Sequence, residues 1–456
     1  MTATMDADLL VIGFGKGGKT LAGDMGKRGQ RVVLVEASRS MYGGTCINTG
    51  CVPTKSLVFH SGRLPYASAV AEVERLTAGL RAANLAGLAP IPTVTVLTGS
   101  AAFLDPNTVA VTTATGPVTV SARQIVIGTG SVPVVPDLPG LADCPVAVTS
   151  AELLGRVSRP DRLVVLGGGY IGLEFASMYA GYGASVTVLE RRPAVLGHED
   201  PEVAETARAL LHSRGVTIVT SATVTGVQTI PRPGGPPEAS VEYVLDGRST
   251  KIGADNVLVA LGRRPNTASL RLDRAGVDTT DGGAVAVDDF RRTSQPHIFA
   301  VGDVNGGPQF TYISLDDYRI VLDQLTSASA PRSAAQRHAV PNCLFLTPPL
   351  ARVGLTETQA RAANYDIRVA TSPVVNLATV ARARIVGQTE GMMKVVVDAA
   401  TDRILGAALL CHDAQEIINI VALAMRHGIT ATALRDEIYT HPSMAECFNQ
   451  LLGLLK

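Results

Sequence analysis

The residues best suited to chemistry are two cysteines, Cys46 and Cys51, within the sequence GGTCINTGCVPTK. In a regular α-helix, residues five positions apart have Cα atoms about 8.7 Å apart, whereas a disulfide tolerates at most about 6.8 Å. If the two cysteines pair, the backbone must leave the helical conformation between them, and Gly50 is the residue that allows this. A regular helix is then expected to begin around Cys51, with Pro53 in its first turn.

A helix that begins at Cys51 favours a reactive sulfur at that position. The positive end of the helix and the ammonium of Lys55, one turn along the same face, both favour thiolate over thiol. The alternatives for this cysteine pair are two buried structural thiols or two metal ligands. A metal site usually adds a second set of ligands, and the sequence contains no second set at matching spacing. The spacing favours a redox pair and leaves the alternatives open.

The composition excludes several classes of function. The chain has 456 residues, enough for about three domains, and its 40 basic side chains balance 40 acidic ones. No general attraction to nucleic acid or to an anionic membrane is therefore expected, and an aromatic content of 4% without Trp argues against a base-stacking surface. No apolar run approaches the roughly 18 residues of a membrane span, and the acidic start argues against a signal peptide. Six cysteines without framework spacing fit a reducing cytoplasm.

A first nucleotide-binding pattern lies near the start of the chain. Leu9–Ile12 is an apolar run, and it is followed by GFGKGG, a helical segment and the strand RVVLV. Gly13, Gly15 and Gly18 match G-x-G-x-x-G between a strand and a helix. Without side chains in the way, backbone N–H groups can approach a pyrophosphate at the positive end of the helix. Glu36, which ends the second strand, is placed to accept a hydrogen bond from an adenosine ribose hydroxyl.

The same pattern occurs again in residues 162–190. Gly167, Gly169 and Gly172 repeat the glycine spacing, and Glu190 ends the second strand. Two complete strand–turn–helix–strand units predict two bound nucleotides, as a flavin together with a nicotinamide requires.

The residues after the second pattern bear on the choice of nicotinamide. Glu190 favours NADH, because a carboxylate repels a 2′-phosphate. Arg191 and Arg192 follow directly and could reach such a phosphate, which keeps NADPH open. The alternative for both arginines is a solvated loop.

The remaining segments predict further elements. The first are a helix over 66–86, strands within 94–131 and a proline-marked connection over 133–145. They are followed by a surface hairpin loop at PRPGGPPE and a buried strand over 298–304 that ends at Gly302-Asp303. From about 336 the sequence predicts a separate α+β domain with helices around 414–427 and 442–453. Pro442 is expected in the first helical position, which leaves His441 just outside the helix and Glu446 in the turn that follows. A His-Pro pair before a helix is usually only a boundary, and a catalytic histidine is the alternative.

Together these motifs resemble class I pyridine nucleotide–disulfide oxidoreductases over essentially the whole chain. The resemblance is carried by GGTCINTGCVPTK, the two glycine patterns, GRRPN, IFAVGDV and HPSMAE, in the family's order. It implies an α/β fold with two Rossmann-like dinucleotide-binding domains, for FAD and for NAD(P), plus a C-terminal α+β dimerisation domain. The expected boundaries are 1–147 and 271–335 for the two parts of the FAD domain, 148–270 for the NAD(P) domain and 336–456 for the dimerisation domain.

The resemblance also implies the roles of individual residues. Cys46 and Cys51 would form a redox-active disulfide, with Cys51 touching the flavin and Cys46 as the outer, attacking sulfur. In a homodimer, His441 and Glu446 would reach the partner subunit's disulfide, the histidine as base and the glutamate as its orienting group. FAD would be bound by Gly13, Gly15, Gly18, Glu36, Gly44, Thr45, Lys55, Gly130 and Asp303. NAD(P)H would be bound by Gly167, Gly169, Gly172, Glu190 and Gly262.

Other candidates have stronger structural alternatives. Glu174 would pair with Lys55 near the flavin, and the alternative is an ordinary exposed helical glutamate. Arg382 and Arg384 could face an anionic substrate, but a solvated loop is the expected interpretation. Four cysteines have no partner at a matching spacing and are expected to be small buried or surface residues. These are Cys144, Cys343, Cys411 and Cys447.

Within the family, several strings are most similar to the bacterial flavoproteins of reactive-chlorine resistance, among them GFGKGGKT, MYGGTCIN, FTYISLDDYRIV and LTPPLARVG. This resemblance implies reduction of a small oxidant, hypothiocyanous acid or Cu(II), by NAD(P)H in oxidative-stress defence. Dihydrolipoamide dehydrogenase and a mercuric-reductase-like enzyme are alternatives, although the ending LLGLLK without a cysteine pair argues against mercury reduction. A flavoprotein redox sensor that does not turn over is an alternative of another class.

Overall fold

The computed structural model describes residues 3–456, which divide into two compact units. The first unit contains the described chain up to Leu57 together with Ser68–Val134 and Gly262–Gln336. The second contains Val58–Ala67, Val135–Leu261 and Arg337–Lys456. In this part of the chain no helix is long and apolar enough to cross a membrane.

The bounds of the elements in residues 3–456 are as follows. The strands are β1 Ala3–Ile12, β2 Val32–Glu36, β3 Val94–Asp105, β4 Thr108–Thr113, β5 Gly116–Ile127, β6 Ser131–Pro133, β7 Ala147–Thr149, β8 Arg162–Leu166, β9 Ser185–Leu189, β10 Val216–Val219, β11 Thr223–Ile230, β12 Glu238–Leu245, β13 Arg248–Ala254, β14 Asn256–Val259, β15 Arg263–Pro265, β16 Ile298–Ala300, β17 Asn342–Leu344, β18 Leu350–Gly354, β19 Ile367–Pro373, β20 Met392–Asp398 and β21 Ile404–Leu410. The α-helices are α1 Lys16–Lys27, α2 Thr45–Asn48, α3 Cys51–His60, α4 Tyr66–Ala86, α5 Ser150–Leu154, α6 Tyr170–Gly181, α7 Pro201–Ser213, α8 Leu272–Ala275, α9 Thr311–Leu325, α10 Glu357–Ala362, α11 Ala381–Ile385, α12 Ala414–Arg426, α13 Ala431–Arg435 and α14 Cys447–Leu451.

The first unit is built on a sheet in which β1 lies between β2 and β5 and is parallel to both. The strand β2, VVLVE, is a β-branched run with four of its five residues buried, which is typical of a parallel strand covered on both faces. Side chains alternate across β1, so that Leu9 and Val11 join one core with Leu21 of α1, while Leu10 and Ile12 join the core on the opposite face. The strand–turn–helix pattern is therefore held from both sides.

The second unit contains three sheets. Parallel strands in the order β10-β9-β8-β14-β7 form the sheet of the second glycine pattern, beside an antiparallel sheet of β11, β12 and β13. The C-terminal part forms an antiparallel sheet in the order β17-β18-β21-β20-β19. The amphipathic α12 packs Ile417, Ile418 and Val421 into the core of this C-terminal sheet. The predicted α/β class, with a C-terminal α+β part, is confirmed.

Several predicted elements are confirmed, and two are wrong in detail. The helix over 66–86 is α4, and residues 231–237 of PRPGGPPE form the loop between the antiparallel strands β11 and β12, which begins at Glu238. The last helix begins at Cys447 rather than at Pro442, because the Glu446 carboxylate accepts the Ser443 N–H and folds residues 442–446 into a turn. The predicted strand over 298–304 ends at Ala300, since Gly302 has a φ of +73° and begins a 3₁₀ turn.

Candidate active site

The two cysteines lie on either side of a break between two helices. The short helix α2 ends before Thr49, whose φ of −140° and ψ of 10° depart from helical values, and α3 begins at Cys51. The predicted interruption and the predicted helix start are confirmed. Gly50 is not in the left-handed region, and its contribution is steric, because a Cβ there would lie 3.1 Å from the Thr45 carbonyl oxygen.

The sulfurs of the pair are in contact. Cys46 and Cys51 are hydrogen-bonded to each other, with Cys46 half-buried and Cys51 exposed, and the redox-active disulfide between them stays a prediction. The Thr311 hydroxyl, at the start of α9, lies 3.9 Å from Cys51 Sγ. The Cys51 hydrogen bond, and then burial, raise the pKa of the Cys46 thiol well above its ordinary value, while Thr311 and the Lys19 ammonium oppose this increase. One sulfur can therefore attack what the other binds, and because the two thiols interact, ionisation of one opposes ionisation of the other.

The first glycine turn has a backbone that only glycine fits. Gly13 has a φ of +112°, and a Cβ there would collide with the Gly128 carbonyl. A Cβ at Gly18 would lie 2.5 Å from the Gly13 carbonyl oxygen. Gly15 caps the twelve-residue helix α1 with no side chain of its own, so the helix N-terminus is open to a phosphate. The turn fits a dinucleotide pyrophosphate.

Glu36 reinforces this turn from the end of β2. Its Oε2 accepts the Phe14 N–H at 3.0 Å and its Oε1 accepts the Ser38 N–H at 3.3 Å. Burial raises the pKa of Glu36, although these backbone hydrogen bonds oppose the increase. Glu36 is therefore tied to the first glycine turn, and its hydrogen bond to an adenosine ribose stays a prediction.

The dithiol segment packs directly against the first turn. Gly43 and Gly44 have φ values of +94° and +80°, and a Cβ at Gly44 would lie 2.7 Å from Gly15 Cα. Thr45 then begins α2. This close approach of two backbones places the cysteines beside the turn that is predicted to bind the flavin.

Asp303 is fixed by a chain of polar contacts. The Ser131 hydroxyl donates to Asp303 Oδ2 at 2.7 Å, and Arg263 Nε donates to Ser131 Oγ at 2.8 Å. The neighbouring Gly130 has a φ of +70°. Sequence reasoning missed the fully buried Asp317, whose Oδ2 accepts the Gly302 N–H at 2.8 Å and holds the turn that carries Asp303. The sequence signal that could have identified Asp317 is an acidic residue in a helix in which about half of the other residues are apolar.

The second glycine turn repeats the geometry of the first. Gly167 has a φ of +101°, and a Cβ at Gly172 would collide with the Gly167 carbonyl. Glu190 Oε2 accepts the Gly168 N–H at 2.7 Å, and its Oε1 accepts the Arg192 N–H at 2.8 Å. Gly169 caps α6 without a side chain. The turn therefore fits a second dinucleotide.

The predicted base and its orienting acid are paired. His441 Nδ1 lies 2.9 Å from Glu446 Oε1, and Glu446 Oε2 accepts the Ser443 N–H at 2.8 Å. Desolvation works against the charge on Glu446, but the hydrogen bonds from Ser443 and His441 prevail and lower its pKa. The imidazole is 68% exposed. One ring nitrogen is thus held by a carboxylate, and the ring is open to a partner.

The other candidates are placed as follows. Lys55 lies half-buried in the first turns of α3, and Gly262 has a φ of +108°. Glu174 is buried rather than exposed, and its Oε1 accepts the Phe345 N–H at 2.8 Å, while its pairing with Lys55 stays a prediction. Arg384 is exposed, as the solvated-loop interpretation predicts, but it lies in the helix α11 rather than in a loop and donates to the carbonyls of Leu377 and Val375.

The family is shown by comparison with known proteins. Residues 7–317 match the model of the pyridine nucleotide-disulphide oxidoreductases, and residues 340–452 match the dimerisation domain of that family. The chain belongs to the pyridine nucleotide-disulphide oxidoreductases. The resemblance inferred from the sequence is confirmed.

Individual relatives of this oxidoreductase cover almost its whole length. It is 43% identical to the Escherichia coli (strain K12) protein named "Probable pyridine nucleotide-disulfide oxidoreductase RclA", over 98% of this chain and 99% of the relative. It is 33% identical to a mercuric reductase of Lysinibacillus sphaericus (96% of this chain, 81% of the relative) and 32% identical to a dihydrolipoyl dehydrogenase of Geobacillus stearothermophilus (97% and 94%).

A solved structure gives the same assignment. The structure described as the Cu(II) complex of the HOCl-induced flavoprotein disulfide reductase RclA from Escherichia coli matches with a TM-score of 0.94 at 42% identity, over 99% of this chain and 100% of that one. The oxidoreductase is therefore an enzyme of the RclA type, a flavoprotein disulfide reductase. FAD and NAD(P)H are its cofactors, as predicted, while the preference for NADH stays a prediction.

Proposed function

We propose that this enzyme reduces a small electrophilic oxidant, hypothiocyanous acid or Cu(II), through the Cys46–Cys51 pair in oxidative-stress defence. The observation that carries the proposal is the contact between two sulfurs at the start of α3, in a segment whose backbone packs against a nucleotide turn. The RclA relative was solved with Cu(II) bound and is described as induced by HOCl.

The cofactors would be bound by the two glycine turns. FAD would lie against residues 13–18, with Glu36, Gly44, Thr45, Lys55, Gly130 and Asp303 around it. NAD(P)H would lie against residues 167–172, with Glu190 and Gly262. The domains would run over 1–147 with 271–335 for FAD, 148–270 for NAD(P)H and 336–456 for dimerisation. When bound, FAD would supply the transfer of an electron pair from NAD(P)H to the disulfide.

The dithiol would perform the chemistry on the oxidant. The Cys46 thiolate forms a bond to the sulfur of hypothiocyanous acid as the S–O bond breaks and the hydroxide becomes water. The Cys51 thiolate, stabilised by Lys55 and the start of α3, then attacks Cys46 Sγ and releases thiocyanate. Two thiols and one hypothiocyanous acid thus give one disulfide, thiocyanate, water and one proton. Because the nucleophile is the thiolate, the Cys46 thiol must first lose its proton, and this chemistry needs a base.

We infer that His441 of a second subunit is this base and that the enzyme is a homodimer. His441 is held by Glu446 and is 68% exposed within its own chain. Three residues earlier, Ile438 is 91% exposed, which is unusual for a large apolar side chain unless another surface covers it. The dimerisation domain of the family contains both residues.

The proposal predicts that Cys51→Ser separates two half-reactions. The variant should keep bound flavin and its reduction by NADH, and should lose turnover of the oxidant, because a serine at 51 cannot resolve the adduct on Cys46. Flavin absorbance and steady-state NADH consumption with hypothiocyanous acid and with Cu(II) measure the two steps. Full turnover in this variant would refute the dithiol mechanism.

One comparative assay decides among the alternatives within and outside the family. The purified enzyme is given NADH or NADPH with hypothiocyanous acid, Cu(II), Hg(II), oxidised glutathione or lipoamide. Fast turnover with lipoamide, or with Hg(II) alone, would replace the proposed substrate with that of the other relatives. A single stoichiometric reduction without turnover would identify a redox sensor.

A further inference from the structure

A lysine on the first nucleotide helix faces the dithiol segment. Lys19 lies in the second turn of α1 and is half-buried, and its ammonium donates a hydrogen bond to Asn84 Oδ1 of α4. The Asn84 side chain is held in turn by its Nδ2, which donates to the Leu80 carbonyl at 2.7 Å. A half-buried ammonium with a fixed amide partner is not a solvated surface charge.

Two contacts connect the helix of this lysine and its amide partner to the segment before Cys46. The Cγ of Asn84 lies 3.5 Å from the position of a Cβ on Gly43, and the backbone of Gly44 packs on Gly15 at the start of α1. Both glycines lead directly into the helix that carries Cys46. The ammonium of Lys19 is therefore connected through Asn84 to the segment that leads into Cys46.

The charges on the two residues act on each other. The Lys19 ammonium lowers the pKa of Cys46, although the hydrogen bond from Cys51 and burial raise it by more. Burial and the neighbouring Lys16 lower the pKa of Lys19, and Cys46 raises it. The Lys19 ammonium thus interacts electrostatically with the Cys46 sulfur, which it can stabilise only in the thiolate form.

We propose that Lys19 is a positioning residue of the redox reaction, whose ammonium stabilises the thiolate of the outer cysteine Cys46 and the small anion that leaves from it. This inference rests on the proposed function of the dithiol. Lys19 keeps its own proton throughout: the Cys46 proton goes to the base, and thiocyanate leaves from the sulfur beside the ammonium. Lys55 stabilises the thiolate of Cys51, and Lys19 stabilises that of Cys46.

The direction of the pH effect follows from the groups around Cys46. They are the Cys51 thiol of α3, the Thr311 hydroxyl of α9 and the Lys19 ammonium of α1. Lys16 of α1 acts on Lys19 itself, and Arg81 of α4 binds the helix that carries Cys46, where its Nε donates to Asn48 Oδ1 at 2.9 Å. Removal of one cation from this set leaves the Cys46 thiolate less stable. The pH at which Cys46 becomes reactive must then rise.

The test measures alkylation of Cys46 by iodoacetamide across pH in the FAD-bound enzyme after reduction with NADH, with the labelled peptide identified by mass. Lys19→Gln should move the reactivity profile to higher pH and slow alkylation at pH 7 by about three- to tenfold. Lys19→Arg should restore most of the rate. The matched control is Lys27→Gln, at the exposed end of the same helix, which should leave the profile unchanged.

The outcomes separate this inference from the function on which it rests. A wild-type profile in Lys19→Gln, with flavin content and flavin reduction intact, would overturn the role of Lys19. If Lys19→Gln does not fold, Asn84→Ala releases the ammonium without removing it and should shift the profile in the same direction by less; no shift would overturn the role. Oxidant turnover retained in Cys46→Ser would instead defeat the proposed dithiol function, whatever the alkylation profile shows.

Discussion

The two glycine turns of the chain share the same backbone conformation. Gly13 and Gly167 both have a φ above +100°, and Gly18 and Gly172 each lie against the carbonyl of the first glycine of their own turn. In both turns the residue after the first glycine donates its N–H to a glutamate, which is Glu36 at the end of β2 and Glu190 just after β9. The shared geometry fits the pyrophosphate site that the glycine spacing predicts, because such a site requires close approach of the backbone.

The turns differ in the segments that lie beside them. The dithiol segment packs against the first turn, since a Cβ on Gly44 would lie 2.7 Å from Gly15 Cα. At the second turn, the strand β9 leads into the exposed Arg191 and Arg192. The middle glycines are alike, because a Cβ on Gly15 would meet only the Gly128 carbonyl oxygen, at 3.8 Å, and one on Gly169 would meet no atom within 4 Å. The predicted assignment of FAD to the first turn and of NAD(P)H to the second therefore rests on the neighbouring segments and not on the turns themselves.

The sharpest test of this comparison is a matched pair of glycine variants. Gly18→Ala should lose bound FAD and Gly172→Ala should keep it but lose reduction by NADH, because each Cβ meets the backbone of its own turn. A cost of about 1–3 kcal/mol corresponds to roughly five- to 150-fold weaker binding. Flavin absorbance per protein and stopped-flow reduction measure the two losses. Equal loss of flavin in both variants would contradict the assignment of the turns.

A smaller effect should distinguish the two glutamates. Glu190→Gln keeps an acceptor for the Gly168 N–H but removes the charge that repels a 2′-phosphate. The ratio of kcat/KM for NADPH to that for NADH should rise about tenfold, or roughly 1.4 kcal/mol. Glu36→Gln is the control and should leave this ratio unchanged. An unchanged ratio in Glu190→Gln as well would assign the preference to Arg191 and Arg192.

The smallest effect concerns the pH dependence of stability. Burial raises the pKa of Glu36, so its contribution to the free energy of unfolding is most favourable below its ordinary pKa and is lost as the pH rises through the raised value. The stability difference between apo Glu36→Gln and the apo wild type should therefore be largest at neutral pH and shrink towards acid. Urea unfolding from pH 7 to pH 4 measures this difference. A difference that does not vary with pH would show that Glu36 does not titrate in this window.

Much of the candidate site could be predicted from local sequence. The glycine turns, the helix start at Cys51 and the acids at the ends of β2 and β9 all depend on short-range rules of backbone geometry, and the structure contains each of them. Residues whose contacts are distant in sequence were not found. Asp317 holds a turn 15 residues away, and Lys19 binds an amide 65 residues away. Neither contact follows from spacing.

The predicted ends of helices and strands were less accurate than the predicted elements themselves. Proline is common at the first helical position, yet the helix begins at Cys447 and not at Pro442. The Glu446 carboxylate accepts the Ser443 N–H and is hydrogen-bonded to His441, which holds this segment in a turn. A side chain that competes for backbone N–H groups decides such a boundary, and its rotamer depends on the surrounding fold.

By itself, the sequence determined the family and predicted the two nucleotide turns and the redox pair, because these depend on residue types at fixed short spacings. Only the tertiary structure decided that the dithiol segment packs against the first turn and that Asn84 connects Lys19 to this segment. Those contacts join segments that are far apart in the chain, and packing brings them together where no local rule applies.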